Sequence, residues 1–459
     1  MGLIAFITVR VAQKRSVHVK KEGCLGMVRG NLWRVGQLRK TCFFTASGQS
    51  GWRHGMTESH VRRPKRTSPG CLFIKPLLMG GMMKRFCLTL VLLCAVSTIA
   101  AGGDFADGVT AYDAKDYVTA LAMFMKAAEA GNASAQYSLG VMYKKGYGVP
   151  QDAQQAVHWF QKAAEAGQVE AQVMLGWMYD TGRGIPQNAQ QAVRWYQKAA
   201  EAGQADAQYN LGVMYHKGLG VPQNYQQAMH WYRKAAEAGV AIAQSNLGFM
   251  YDMGEGVPRD AQQAARWYRK AAEAGNASAQ YSLGAMYEDE RGVSRDAQQA
   301  VYWYRKAAEA GVAIAQSNLG LMYAQGRGVP QNYQQAVHWY RKAAEAGQAG
   351  AQFNLGVMYE RGRGVHRDAQ QAVHWYRKAA EAGVASAQSN LGEMYARGKG
   401  VPQDDILAYK WANLAANQGY KRGVTVRDFL TRRMTPNQVG QAKKLAREWK
   451  PTRGIAPNR

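Results

Sequence analysis

Small and aromatic residues return along this chain in two alternating helical stripes, and the pair of stripes recurs every 36 residues. In residues 132–167 (NASAQYSLGVMYKKGYGVPQDAQQAVHWFQKAAEAG) the first stripe is Ala135, Leu139, Met142 and Tyr143. Spacings of four, three and one bring these side chains to one face of a helix over 133–145. Gly146 and Gly148 then stop it, as a left-handed cap and turn would. A second helix is predicted from Asp152, with Ala156, Trp159, Phe160 and Ala163 as its apolar stripe. Its starting column holds only Asp152, Asn188, Asn224, Asp260, Asp296, Asn332, Asp368 and Asp404, side chains that accept from the free N–H groups of a first turn. In seven copies a glutamine follows three residues later (Gln155 to Gln371), the spacing of a capping box. The Lys162 and Glu165 columns, three apart, predict surface ion pairs. Gly131, Gly167 and their equivalents end the second helix.

The register never slips. The glycine of the Leu-Gly pair falls at 140, 176, 212, 248, 284, 320, 356 and 392, and the tryptophan at 159, 195, 231, 267, 303, 339, 375 and 411. A fixed period of this length denotes stacked supersecondary units, each contacting its neighbours, rather than a closed core. Gly140 and its column sit mid-helix, where glycine costs about 1 kcal/mol relative to alanine. Their retention predicts close approach of a neighbouring helix or aromatic ring. Residues 116–131 align with 152–167, with Met123 in the tryptophan column, behind a shortened helix around 105–112. Residues 104–131 are therefore expected to be a degenerate N-terminal capping repeat before eight full repeats over 132–419. In 420–450 two capping helices are expected, at 427–434 and 435–449. Thr435-Pro436-Asn437-Gln438 starts the last one, with Val439, Ala442, Ala446 and Trp449 inward and Lys443, Lys444, Arg447 and Lys450 outward. Residues 451–459 form a tail.

The combined pattern, A-x-x-x-LG-x-MY-x-x-G-x-GV-P-x-D/N-x-x-x-A-x-x-W-x-x-x-AA-x-x-G, resembles the Sel1-like repeat family, a relative of the tetratricopeptide repeats, over 132–419. The resemblance implies an all-α fold, a right-handed α/α superhelical solenoid with a concave groove lined by the first helices. It also implies adaptor or scaffold roles; exported bacterial relatives act in envelope assembly, signalling regulation and host-cell interaction. Some relatives staple each helix pair with a disulfide. All five cysteines here, Cys24, Cys42, Cys71, Cys87 and Cys94, precede the array, so its stability rests on packing.

Charge changes the picture less than its total suggests. Of the net +26, residues 1–81 carry 15 Lys/Arg against 2 Asp/Glu and residues 420–459 carry 11 against 2. With Lys84 and Arg85 also set aside, the array over 104–419 is left near neutral. A nucleic-acid footprint would run along the binding face, so no nucleic-acid partner is expected. Residues 82–103 have the pattern of a secretory signal: Lys84 and Arg85, an apolar stretch from Phe86 to Ile99, then Ala100, Ala101, Gly102 and Gly103. The stretch is short of the roughly 20 residues that span a bilayer. Leu93 before Cys94 departs from a lipobox, which favours soluble export over lipid attachment. Translation is expected to begin at Met82 or Met83, leaving 1–81 as an unstructured upstream extension. The mature protein is then periplasmic or secreted, monomeric and without a membrane span.

Four histidines share one column, His158, His230, His338 and His374, but repeats stack too far apart for them to converge on a metal. No catalytic constellation or phosphate loop recurs, so neither enzyme activity, cofactor nor metal is expected. Candidate partner-binding residues are those that change between copies along the first helix: Trp177, Phe249, Leu321 and Glu393 after the Leu-Gly pair, and Lys144, Asp180, His216, Asp252, Glu288 and Glu360 three residues further on. Drift between duplicates would leave the same variation. The fifth copy has Glu290 where others have the stop glycine, and Ser294 for proline, which suggests a distorted turn or an acidic contact point. The function expected is an exported, non-enzymatic scaffold that binds a protein or peptide. The alternative is an envelope factor or hydrolase working on peptidoglycan or glycan.

Overall fold

The computed structural model describes residues 103–452. The expectations for 1–81, for the signal segment up to residue 102 and for the tail from 453 lie outside the described residues. Those residues form helices without a strand: α1 (103–113), α2 (Tyr117–Glu129), then eight pairs from α3 (Ala133–Lys145) and α4 (Ala153–Glu165) to α17 (Ala385–Arg397) and α18 (Asp405–Asn417), closed by α19 (Lys421–Arg433) and α20 (Pro436–Glu448). Every first helix packs on the second helix of its own repeat and on that of the preceding one. This is an α/α solenoid.

Local chemistry sets the helix bounds. Asp152 Oδ1 accepts from the N–H groups of Gln154 (2.8 Å) and Gln155 (3.0 Å), and the whole column caps its helices in this way. The reciprocal half of the expected capping box does not form: Gln155 is exposed and its side chain does not return to the cap. Among the described helices the complete box is at Thr435 and Gln438. The first helices end on left-handed residues such as Gly146 (φ 73°). Glu290 takes that same conformation (φ 57°, ψ 40°), so the fifth turn is preserved rather than distorted and the strain is confined to one residue.

The Gly140 column does what its mid-helix position predicts. A Cβ there would stand 2.6 Å from the Phe160 ring; at Gly212 it would stand 2.6 Å from Tyr232. In the first seven repeats the ring of the second helix packs against the glycine of the first, and Tyr196, Tyr232, Tyr304, Tyr340 and Tyr376 are fully buried as a result; in the eighth, Gly392 meets the Ala408 carbonyl and the Ala412 backbone instead. A further close approach sets the stacking. A Cβ on Gly184 would lie 2.4 Å from the Ala153 carbonyl oxygen, which seats each loop on the second helix of the repeat before.

The core is a chain of clusters, each built across a repeat boundary. One joins Ala192, Tyr196 and Ala199 of the second repeat with Ala207, Leu211, Met214 and Trp231 of the third. The same junctions hold a buried polar column that the apolar pattern did not reveal. Gln136 Nε2 donates to the Ala128 carbonyl (3.2 Å), and Gln172, Gln208, Gln244, Gln280, Gln316, Gln352 and Gln388 repeat the bond. Each amide adds a second donor to a carbonyl at the end of the preceding second helix, which also accepts from the N–H of the glycine that ends it.

The penultimate helix starts six residues earlier than expected, at Lys421, 36 residues after Ala385. It is the first helix of a further unit. Its opening Lys-Arg-Gly lacks the apolar stripe, and Gly423 lets it close on Ala415, where a Cβ would stand 2.6 Å away. Val439, Ala442, Ala446 and Trp449 pack inward as expected, with Trp449 edge-on to Trp411 (6.0 Å).

Candidate protein-interaction face

The two helices of a repeat present different surfaces. Second helices expose most of one side: in α4, Gln154, Gln155, His158, Gln161, Lys162 and Glu165. The histidine column lies on that exposed side, where His158, His230, His338 and His374 pack edge-on against the adjacent tryptophans at 5.0–5.3 Å. The expected Lys162–Glu165 ion pair is absent. Lys162 instead lies over the Trp159 ring (4.8 Å), and Lys198, Lys234, Lys270, Lys342 and Lys378 do likewise at 4.3–4.9 Å. The indole three residues back offers the ammonium an attractive face, and Gln161 takes Glu165 at 2.9 Å.

First helices are half-enclosed. The positions after the Leu-Gly pair are half-buried in every copy. Trp177 packs between its own repeat's cluster and the next, Phe249 leans on the cluster shared by the fourth and fifth repeats, and Leu321 on that of the sixth and seventh. Glu393 is paired with Arg397 (2.8 Å) and with Arg422.

The column three residues further on meets the residue between the two glycines of the next loop, 39 positions later. Three of these meetings are ion pairs, Asp252–Arg291 (3.0 Å), Glu288–Arg327 (2.9 Å) and Glu360–Lys399 (3.1 Å), and a fourth is a hydrogen-bond contact of the His216 imidazole with the Glu255 carboxylate (2.9 Å). The pairs are braced by buried tyrosines of the same repeat: Tyr304 donates to Glu288 and Tyr376 to Glu360, both at 2.7 Å, and Tyr232 meets His216 at 3.4 Å. Burial pushes the phenols of Tyr304 and Tyr376 far above their ordinary range, so they act only as donors here. Burial also raises Glu360, but the bonds from Tyr376 and Lys399 outweigh it and hold the carboxyl below its usual value. Asp180 has no such partner, and burial raises its carboxyl. Lys144 and another cation, Arg183, both lie against the Trp177 ring.

A second set of ties joins second helices to the first helix that follows. Arg233, Arg269, Arg305, Arg341 and Arg377 donate to the hydroxyls of Tyr251, Tyr287, Tyr323, Tyr359 and Tyr395 at 2.8–3.0 Å. The first two repeats have Gln161 and Gln197 there, which turn to Glu165 and Glu201. The arginine–tyrosine ties and the 39-residue charge contacts thus begin at the third repeat. The sequence carries part of this signal: at four of seven junctions the residue between the loop glycines complements the first-helix column, whereas Lys144/Arg183, Asp180/Leu219 and Ala324/Arg363 do not match. The 39-residue separation hides it from any reading of one repeat at a time.

Among the described residues no group of three His, Cys, Asp or Glu stands close enough to hold a metal ion, and no helix is long and apolar enough to cross a membrane.

Sequence comparison decides the family. The Sel1 repeat model matches nine consecutive segments, 107–132, 133–168, 169–204, 205–240, 241–276, 277–312, 313–348, 349–384 and 385–420. The chain belongs to the Sel1 repeat family. The first match falls on the segment expected as a degenerate cap, so the Sel1 array counts that unit as a repeat. A protective antigen of uropathogenic Escherichia coli strains with an SLR fold is 38% identical over 76% of each chain, with a TM-score of 0.71. A Sel1 repeat protein from Oxalobacter formigenes is 33% identical over 67% of this chain and 89% of its own, with a TM-score of 0.53. No curated protein matches. Sel1 solenoids mediate protein–protein interaction, and that is the class of activity this fold supports.

Proposed function

We propose that this protein is an exported, non-enzymatic scaffold that docks a protein or peptide segment along the face of its first helices. The observation that carries the reading is the contrast between columns. Ala135, Leu139, Gly140 and Met142 barely change between copies and are buried, whereas the half-buried positions beside them run through Val141, Trp177, Val213, Phe249, Ala285 and Leu321. Half-exposed aromatic anchors that differ from repeat to repeat give a face with a readable order, and aromatic residues of this kind dominate interface energetics. Amides on the same helices, Asn210, Asn246, Asn318 and Asn354, are half-buried and suit the backbone of an extended peptide. Export rests on the signal pattern over 82–103, and the protective-antigen relative supports an envelope or secreted setting.

The test is capture by the full chain from periplasmic and culture fractions beside a W177A/F249A variant. A prey enriched by the native chain and lost by the variant supports the reading; equal capture by both removes these anchors from it. Mass spectrometry of the native product checks export: the expected mature N-terminus lies at residues 100–104, and a peptide from 1–81 would refute the proposed start.

A further inference from the structure

We propose that the junction of the first and second repeats is a receptor for a carboxylate of an acidic peptide segment, held between Lys144 and Arg183 against the face of Trp177. The inference rests on the docking reading above and names the chemistry of one place on that face.

Three equivalent junctions join opposite charges 39 residues apart and a fourth joins a histidine to a carboxylate; this one sets two cations together. Lys144 Nζ lies 4.5 Å and Arg183 Cζ 5.0 Å from the centroid of the same indole. Neither forms an ion pair with a described carboxylate, and exposed Lys145 adds a third positive charge. Burial, then Lys145 and Arg183, hold the Lys144 ammonium below its ordinary pKa. The indole face attracts each cation but leaves their mutual repulsion uncompensated, and a carboxylate there would gain charge-assisted hydrogen bonds from both cations. A separate observation points to the same place. The first two repeats have glutamine where later ones place the arginine that bonds the next tyrosine. The charged groups at this end are held to the neighbouring repeat by neither an ion pair nor an arginine–tyrosine bond.

Charge along the face selects a peptide over a polyanion. Beyond this junction the face carries both signs: Asp180 follows on the next first helix, and Asp252–Arg291 and Glu288–Arg327 are paired, so no continuous positive track runs along it for a lipid surface or nucleic acid. Two repeats on, exposed Ile242 (46%) and Met253 (51%) flank half-buried Phe249 on one face of Ala241–Met253. The fitting ligand has an acidic residue followed by apolar side chains.

The measurement is fluorescence anisotropy of the full chain with a labelled peptide of about a dozen residues, glutamates at one end and leucines after, against its glutamine counterpart. The glutamate peptide is expected to bind at least about tenfold tighter, and the preference to shrink with salt. K144E recreates the ion pair seen at three other junctions, so it should abolish the preference while raising Tm; R183L should weaken it without unfolding the chain. Equal binding of the two peptides, or an undiminished preference in K144E, overturns the proposal. If both bind alike and W177A/F249A weakens both, the docking face survives and the carboxylate receptor does not. If neither binds, the receptor falls, while the capture experiment judges the docking face separately. Tighter, K144E-sensitive binding to phosphatidylglycerol vesicles than to the peptide also overturns it, in favour of an anionic surface.

Discussion

At the scale of single residues, the account turns on where a side chain has no room and where it has too little. Gly212 faces the Tyr232 ring, which is 1% exposed. G212A is expected to destabilise the chain by about 1–3 kcal/mol through overpacking, despite the helix propensity alanine adds. Gly440 is the control: it is also mid-helix, but a Cβ there meets nothing within 4 Å. G440A should stabilise by about 1 kcal/mol, and urea unfolding of the two variants separates the effects. Glu290 is strained in a left-handed conformation that its equivalents fill with glycine. E290G should raise stability by about 0.5–1 kcal/mol, checked in the same way; a loss would mean the side chain makes a contact worth more than its strain. The glycine column was legible in the sequence because its cost in an isolated helix is known and its recurrence demanded a neighbour. The Gln136 column was not: a glutamine reads as surface until the stacking shows which carbonyl it reaches.

At the scale of helices and loops, caps and lengths followed directly from the chain, while the ties between elements did not. Asp and Asn at every second-helix start announced their hydrogen bonds, and the glycines announced the stops. The lysines expected to meet glutamates settle on indoles, because residue spacing alone does not rank a carboxylate against an aromatic face. The ion pairs between first helices and the next loop are the main discovery at this scale. Glu360 tests them through pH. Its folded pKa is depressed, so the stability it contributes is complete above its ordinary value of 4.5 and is lost as pH falls through the folded value. The stability difference between the native chain and E360Q should therefore be largest near neutral pH and shrink below pH 4.5, followed by thermal unfolding. A difference that does not change with pH would mean the carboxylate charge contributes nothing to the junction.

At the scale of the whole molecule, stability should be graded along the array, because each repeat contacts only its neighbours. The first two repeats lack the arginine–tyrosine ties, and the first junction sets like charges together. Amides of 133–201 are expected to exchange faster than those of 261–381 in native-state hydrogen exchange, since local opening follows local tying. The number and order of repeats were plain from the sequence, and so was the family. Which variable residues serve a partner was not, since five of the ten expected on the face, His216, Asp252, Glu288, Glu360 and Glu393, are spent on the unit that follows. The most direct test of the docking claim is hydrogen exchange of the full chain with and without the partner it captures. The account predicts new protection in the first helices Val169–Thr181, Ala205–Lys217 and Ala241–Met253. Protection confined to the exposed sides of the second helices would contradict it.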